Sequence, residues 1–273
     1  MSIRIAVTIA GSDSSGGAGI QADLKTFAAL GVYGASVITA LTAQNTKGVV
    51  AIHDVPPEFV TQQIDAVFSD LDVAAVKIGM LSRADTIGAV AAGLERHSQT
   101  QVVLDPVMVA TSGDKLLSDD AIDALRQQLI PRSLVITPNL PEAAALLGVP
   151  VACSEDEMRL QGQRLLALGA RAVLIKGGHG SGPEAVDVLV EENRITRLPA
   201  VRIETRNTHG TGCTLSSAIA AGLANGLDLL AAVHQAKQYI TEAIKHADRA
   251  TVGSGAHGPV HHFHAFWTST AHD

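Results

Sequence analysis

Short runs rich in β-branched residues alternate with longer helical patterns, and this alternation limits the fold more than any other feature of the chain. The first predicted strands cover residues 3–10, 36–43, 73–78 and 101–104. The predicted helices among them cover residues 18–30, 57–71 and 82–97. Such alternation is typical of βαβ units, whose parallel sheet is covered by helices on both faces. The sequence therefore predicts a three-layer α/β fold with a mostly parallel central sheet.

The rest of the chain continues this pattern. Strands are predicted at residues 134–136 and 171–176, a hairpin at 186–190 and 195–198, and Ala-rich helices at about 214–224 and 229–247. Ser154 followed by Glu157 forms a capping box that indicates a helix start, and Ser82 followed by Asp85 is a related pattern. No repeat, linker or low-complexity segment indicates a second domain, so we expect one domain over residues 1–273.

Composition and charge exclude several classes of function. The 273 residues are 47% hydrophobic and 3% aromatic, and the formal net charge is −7. This acidic balance, without basic runs or aromatic platforms, argues against nucleic acid or an anionic membrane as a partner. The apolar run at residues 5–10 is too short for a secretory signal, and no stretch reaches the roughly 18 apolar residues of a membrane span. Two cysteines, Cys153 and Cys213, are too few for a disulfide framework. We therefore expect a globular cytoplasmic protein.

Ligands of open parallel sheets bind at the carboxyl ends of the strands, so the residues after each predicted strand are candidates for a site. After the first strand comes a Gly-rich loop, residues 11–19, which fits neither the dinucleotide-binding nor the P-loop spacing. A turn that needs positive φ explains these glycines equally well. Asp23 on the helix that follows is also explained as a favourable charge near a helix N-terminus.

A sharper signal is the run of residues 207–214, which leads into an apolar helix of small residues. Glycines let the backbone approach a ligand there, and the free N–H groups at a helix start make a cradle for an anion such as a transferring phosphoryl group. At this position the helix dipole is expected to stabilise a thiolate, which makes Cys213 a candidate base or nucleophile. A small buried cysteine packed under a Gly turn is the alternative.

Three charged residues follow other predicted strands. Asn139 and Glu142 form a good helix start by themselves, and Glu142 is alternatively a carboxylate that helps to hold hydrated Mg²⁺. Asp105 supplies a second carboxylate at a strand end, and Lys176 ends an apolar strand where an ammonium can meet phosphate. A lysine that merely snorkels from the strand end is the alternative for Lys176.

The histidines near the carboxyl end, at residues 261, 262 and 264, lack Cys or carboxylate partners at a known metal-site spacing. We therefore favour a partly packed terminal segment over a set of metal ligands. Cys153 is expected to be structural.

Taken together, these stretches resemble the hydroxymethylpyrimidine/phosphomethylpyrimidine kinases, the thiamine-pathway members of the ribokinase-like superfamily. The resemblance rests on distinctive motifs through nearly the whole chain: AGSDSSGGAGIQADLKTF at 10–27, SVITALTAQNT at 36–46, KIGML at 77–81, VVLDPVM at 102–108, TPNLPEA at 137–143, KGGH at 176–179, NTHGTGCTLS at 207–216 and GPVHHFH at 258–264. It implies a ribokinase-like fold, ATP and Mg²⁺ as cofactors, a small pyrimidine substrate phosphorylated twice, and a homodimer.

The resemblance also implies roles for individual residues. The implied pyrimidine pocket comprises Gly11, Ala18, Asp23, Gln44, Met80 and Val107. The implied nucleotide and phosphate site comprises Asn139, Lys176, Thr208, Gly210, Thr211, Gly212 and Lys237, with Glu142 and Asp105 near the metal. Most ribokinase-like enzymes have Asp as the base where this chain has Cys213, a substitution typical of the pyrimidine kinases and of related pyridoxal kinases.

Two rival functions remain open on the sequence. A pyridoxal kinase of the same fold handles a similar flat heteroaromatic ring that bears a hydroxymethyl group. A catalytically silent pyrimidine- or nucleotide-binding module is the rival from another class.

Overall fold

A computed structural model describes residues 3–108, 117–178, 180 and 182–267. Nine strands are present in this part of the chain: β1 (Ile5–Asp13), β2 (Tyr33–Asn45), β3 (Gly48–Asp54), β4 (Val73–Ile78), β5 (Val102–Leu104), β6 (Val135–Ile136), β7 (Ala172–Ile175), β8 (Asp187–Glu191) and β9 (Arg194–Leu198). The α-helices are α1 (Gly19–Ala29), α2 (Pro57–Phe68), α3 (Ala84–Arg96), α4 (Asp119–Ala124), α5 (Leu140–Leu147), α6 (Glu155–Leu166), α7 (Thr211–Ala224) and α8 (Leu229–Lys245).

All the described strands form a single sheet in the order β3-β2-β1-β4-β5-β6-β7-β8-β9. Six neighbouring strands are mutually parallel, namely β2, β1, β4, β5, β6 and β7, and β3, β8 and β9 pair antiparallel at the two edges. The carboxyl ends of the six parallel strands therefore meet at one edge of the sheet.

Alternate residues of the central strands face two separate cores. In β5, Val102 and Leu104 pack on the side of α2 to α6, whereas Val103 packs on the side of α1, α7 and α8. Both faces of the sheet are thus covered by helices, which accounts for the nearly continuous apolar runs of the parallel strands. This arrangement confirms the predicted fold class.

Three local predictions differ from the structure. β1 continues through the first glycine of the predicted loop to Asp13, with a shift in register between Ala10 and Ser12. Strand β3 was not predicted. Helix α3 begins at Ala84 with Arg83 as its N-cap and has no side-chain cap, because Ser82 lies one residue before the cap position; the Ser82 hydroxyl donates to Asp54.

Candidate active site

A cavity of about 830 Å³ opens at the carboxyl ends of the parallel strands. It is lined by fifteen of the sixteen predicted site residues: Gly11, Ala18, Gln44, Met80, Asp105, Val107, Asn139, Glu142, Lys176, Thr208, Gly210, Thr211, Gly212, Cys213 and Lys237. Residues that are far apart in sequence are therefore brought together as predicted. His179 of the KGGH motif lies outside the described residues.

The first turn of α7 forms one wall of the cavity. Gly210 precedes the helix with φ of 79°, and a Cβ there would lie only 1.9 Å from the carbonyl oxygen of Gly17. A Cβ on Gly212 would lie 3.2 Å from Lys176 Nζ. The N–H groups of a first turn have no acceptor within the helix, so this wall can bind an anion directly.

Lys176 lies opposite this turn and is held by two carboxylates. Its Nζ donates to Asp105 Oδ1 at 2.7 Å and lies 3.9 Å from Glu142 Oε2. Burial lowers the pKa of Lys176, but Asp105 and Glu142 more than offset this and raise it, so the side chain is an ammonium at neutral pH. Asp105 also accepts from Thr137 Oγ1 at 3.1 Å. The strand-end lysine therefore faces the cavity instead of snorkelling into solvent.

Asn139 and Glu142 form the capping box that the sequence indicates. Asn139 Oδ1 accepts from the Glu142 N–H at 2.9 Å, and Glu142 Oε2 accepts from the Asn139 N–H at 2.7 Å. This structural role does not exclude a functional one, because Glu142 also lines the cavity. Burial, with the nearby Asp105 carboxylate, raises the pKa of Glu142 to about 7. An incoming cation would favour its ionised form.

Cys213 lines the cavity, and its acidity differs from expectation. Burial raises the pKa of the Cys213 thiol to about 11, and the Asp23 and Asp105 carboxylates add to this effect. The Lys77 ammonium and the backbone N–H of Gly19 act in the opposite direction. Burial therefore favours the neutral thiol in the free enzyme, whereas a stabilised thiolate was expected from the position of Cys213 at the helix start.

Asp23 is the one predicted site residue that does not line the cavity. It is fully buried, and its carboxylate accepts from Thr8 Oγ1 at 2.6 Å and from Ser217 Oγ at 2.7 Å. Lys77 Nζ donates to both carboxylate oxygens of Asp23, at 2.8 and 2.9 Å. Asp23 thus lies beneath the cavity wall, where it neutralises Lys77, and not in the pyrimidine pocket that the resemblance implies.

Three of the other predicted pocket residues, Gly11, Gln44 and Met80, lie at or just after the ends of β1, β2 and β4. The thioether of Met80 would lie 3.5 Å from a Cβ on Gly11, an ordinary van der Waals distance, so these two residues are neighbours in the cavity wall. Gln44 Oε1 accepts from Thr42 Oγ1 at 3.2 Å, which leaves the amide nitrogen of Gln44 to donate. These side chains provide an apolar wall with one polar group.

Lys237 reaches the cavity from α8. Its Nζ donates to Asp187 Oδ2 at 2.7 Å and to the carbonyl oxygen of Ala185 at 2.9 Å. The other oxygen of Asp187 accepts from the Gly177 N–H at 2.9 Å. Lys237 and Asp187 therefore also fix the turn that follows Lys176.

Sequence reasoning missed two buried pairs. Lys77 with Asp23 is one, and Asp13 with His209 is the other: His209 Nε2 lies 3.0 Å from Asp13 Oδ2. Asp13 also accepts from the N–H groups of Ser15 and Ala18, both at 2.8 Å, so it organises the Gly-rich loop. The signal in the sequence was that each of these four residues is a charged or histidine residue within one of the predicted motifs.

The terminal histidines pack as favoured from the sequence. His262 is buried, its Nε2 lies 3.0 Å from Thr214 Oγ1 on α7, and burial lowers its pKa to about 3. A neutral His262 therefore supports the helix that carries Cys213. Cys153 is exposed, and its thiol points to the carbonyl of Val151 at 3.5 Å.

Comparisons with known proteins agree with this geometry. The sequence model of the family described as phosphomethylpyrimidine kinase matches residues 13–261. The hydroxymethylpyrimidine/phosphomethylpyrimidine kinase of Rhizobium meliloti (strain 1021) is 62% identical over 263 residues, which cover 96% of this chain and 98% of that protein.

Solved structures show the same architecture. The phosphomethylpyrimidine kinase of Clostridium difficile 630 is 48% identical, with a TM-score of 0.79 over 89% of this chain and 100% of that chain. The pyridoxal kinase of Bacillus subtilis, solved as an ADP complex, is 38% identical, with a TM-score of 0.88 over 96% of this chain and 98% of that chain. The resemblance drawn from the motifs is confirmed, and the chain belongs to the phosphomethylpyrimidine kinase family of phosphotransferases with the ribokinase-like fold.

Proposed function

We propose that this kinase transfers the γ-phosphoryl group of ATP to 4-amino-5-hydroxymethyl-2-methylpyrimidine and then to its monophosphate, giving the diphosphate used for thiamine. The observation that carries the proposal is the meeting of the α7 first turn, Lys176 and Cys213 at one cavity. Membership of the phosphomethylpyrimidine kinase family supports this substrate class.

The first transfer needs alignment, charge stabilisation and removal of one proton. The amides of Gly212 and Cys213 and the Lys176 ammonium stabilise the transferring group. The substrate hydroxyl oxygen bonds to the γ-phosphorus as the bond from that phosphorus to ADP breaks, and the hydroxyl proton passes to Cys213 Sγ. The pocket residues Gln44, Met80 and Val107 would hold the pyrimidine ring.

The second acceptor is a phosphate monoester whose second pKa is near 6, so it is already largely anionic at neutral pH. It therefore needs little help from a base. We expect Cys213→Ala to slow the first phosphorylation by at least about a hundredfold, the usual scale of general-base catalysis, and the second by much less. Single-turnover assays with each acceptor measure this, and equal losses would contradict the assignment of Cys213 as base.

The nucleotide site extends from the α7 start toward α5. Asn139, Thr208, Thr211 and Lys237 line that part of the cavity and can donate to phosphates or ribose. Mg²⁺ fits here, because Glu142 is a buried carboxylate that a cation would ionise and Asp105 supplies a second carboxylate. When bound, Mg²⁺ would neutralise charge on the nucleotide phosphates.

A second candidate is pyridoxal kinase activity. The observation in its favour is the TM-score of 0.88 to the Bacillus subtilis pyridoxal kinase, against 0.79 to the Clostridium difficile phosphomethylpyrimidine kinase. Sequence identity, 38% against 48%, favours the pyrimidine. Comparison of kcat/KM for the two alcohols decides between them.

The direct test of the proposed function is product analysis after incubation with hydroxymethylpyrimidine, ATP and Mg²⁺. We expect the monophosphate to appear first and the diphosphate to replace it. Ligand binding without turnover of ATP would instead support a silent binding module.

None of the helices in the described part of the chain combines the length and apolar character that a membrane span needs. We place the enzyme in the cytoplasm, where ATP is available and free thiols such as Cys153 and Cys213 persist. We also propose a homodimer, because the edge strand β3 exposes apolar side chains such as Val50.

A further inference from the structure

Helices α1 and α7 face each other through two matched positions. The backbone N–H of Gly19, the first residue of α1, interacts with the thiol of Cys213 in the first turn of α7. Four residues further along each helix, Asp23 accepts from Ser217 Oγ at 2.7 Å. Because residues i and i+4 share one face of a helix, the second contact lies one turn below the first.

Lys77 enters this arrangement from β4. Its Nζ binds both oxygens of Asp23, and the side chain is 0% exposed to solvent, yet it contributes to the cavity wall beside Cys213. A Cβ on Gly79 would lie only 2.7 Å from Nζ, so the ammonium is closely enclosed. Burying an ion pair is costly and rarely improves stability over apolar packing. A functional reason for this buried cation is therefore needed.

We propose that Lys77 is a positioning residue of the kinase: its ammonium is the counter-ion of the Cys213 thiolate, and Asp23 holds it one helical turn beneath the sulfur. This inference rests on the proposed role of Cys213 as the base of the first transfer. It gives Asp23 a part in the reaction without contact with the pyrimidine.

The charges around the thiol have opposite effects. Lys77 from β4 favours the thiolate, whereas Asp23 from α1 and Asp105 after β5 disfavour it. Lys176 after β7 also favours the thiolate, and its Nζ is 2.7 Å from Asp105. The two members of the Lys77–Asp23 pair act on the thiol in opposite directions.

The chemical step balances with this arrangement. The neutral thiol first loses its proton to solvent, and the resulting thiolate takes the proton of the substrate hydroxyl as the new O–P bond forms and the O–P bond to ADP breaks. A neutral thiol and the phosphate monoester result, and the thiol returns its proton to solvent before the next turnover. Lys77 stays protonated throughout, because Asp23, Cys213 and Asp105 together outweigh burial and raise its pKa.

The pH dependence of Cys213 alkylation tests the proposal without nucleotide or pyrimidine. Cys153→Ser is the background, because Cys153 is exposed and would also react. In this background the rate of Cys213 alkylation by iodoacetamide is measured across pH by mass spectrometry. The pH of the inflection reports acidity, whereas the plateau rate reports accessibility.

Asp23→Asn and Lys77→Gln are expected to shift the inflection in opposite directions. Asp23→Asn leaves Lys77 with the thiolate as its nearest anion, so the rate at pH 8 should rise by about tenfold, which corresponds to one pKa unit. Lys77→Gln leaves Asp23 facing the thiol, so the rate should fall by about tenfold or more. If Lys77→Gln does not fold, the direction of the Asp23→Asn shift still decides.

Ser217→Ala is the matched control, because it removes a hydrogen bond to Asp23 without changing charge. We expect its inflection to stay at the wild-type pH. The proposal would be overturned if the pH of the inflection is unchanged or higher in Asp23→Asn than in the Cys153→Ser background. It would also be overturned if this pH shifts equally in Ser217→Ala. A chain that passes this test but forms no pyrimidine phosphate would instead refute the proposed function alone.

Discussion

At the residue scale, Gly210 meets two separate requirements. Its φ of 79° favours glycine, and its Cα faces the carbonyl of Gly17 so closely that a Cβ would lie 1.9 Å from the oxygen. We expect Gly210→Ala to cost about 1–3 kcal/mol of unfolding free energy and to reduce kcat/KM by more than tenfold, because the α7 first turn is displaced. Thermal unfolding and steady-state kinetics measure the two effects.

Gly226 is the matched control at the other end of the same helix. Its φ is 87°, but a Cβ there would have no atom within 4 Å. Gly226→Ala should therefore cost about 1 kcal/mol through the backbone alone and leave kcat/KM unchanged. A similar loss of kcat/KM in both variants would mean that the loss of stability, and not displacement of the α7 first turn, reduces the activity.

Glu142 gives a prediction for pH. Its pKa in the fold, about 7, is above its ordinary value of 4.5, so the fold favours the neutral acid and loses stability as pH rises between these values. Glu142→Gln keeps the capping box and removes this loss. We expect the variant to be more stable than wild type at pH 8 by up to about 3 kcal/mol, and equally stable near pH 4.

Thermal unfolding across this pH range measures the difference. Glu157 has the same position in α6 but is exposed, so Glu157→Gln is the control for loss of a carboxylate in the first turn of a helix. If Glu142→Gln is less stable than wild type at pH 8, the Glu142 carboxylate stabilises the wild-type protein without a cation. That result would contradict the proposal that Glu142 becomes ionised when a cation binds.

At the element scale, α5 and α6 begin with comparable caps but differ in their relation to the cavity. Asn139 caps α5 and Ser154 caps α6. Replacement of either by Ala should cost about 1 kcal/mol of unfolding free energy. Only Asn139→Ala should also raise the KM for ATP, because Asn139 lines the cavity. Equal KM values in the two variants would remove Asn139 from the nucleotide site.

The elements that the sequence predicts well are those with buried, alternating apolar runs. β3 was missed because its side chains are mostly exposed, with Val50 80% exposed, so burial leaves no periodic signal there. The capping of α6 by Ser154 is confirmed, but the predicted capping box is incomplete, because Glu157 accepts from the N–H of Cys153 and not from that of Ser154. Ser82 pairs with a distant residue, Asp54, which a local pattern cannot reveal.

At the scale of the whole molecule, the site depends on contacts between distant segments. Asp13 and His209 are 196 residues apart in sequence, and Lys77 and Asp23 are 54 apart. Strand-end positions predicted which edge of the sheet would carry the site. They could not predict that Asp23 faces Lys77, because this pairing depends on how α1 packs over the sheet that contains β4. That residues 1–273 form one domain stays a prediction.

The proposed homodimer gives a prediction for the whole molecule. Val50 lies on the edge strand β3 with 80% of its side chain exposed. Val50→Lys should convert the dimer to a monomer in sedimentation velocity, because a charge on an edge strand opposes pairing. Val151→Lys, at a site 46% exposed away from this edge, should leave the dimer intact. A monomeric wild type at micromolar concentration would contradict the proposal.

The burial of α7 has a consequence for how the enzyme cycles. From Thr214 to Ala224 every residue of this helix is buried, between the sheet and α8. A helix enclosed on all sides cannot tilt or slide without breaking the core. The phosphate-binding first turn, which continues directly into this buried segment, is therefore held in one position while successive substrates bind and products leave.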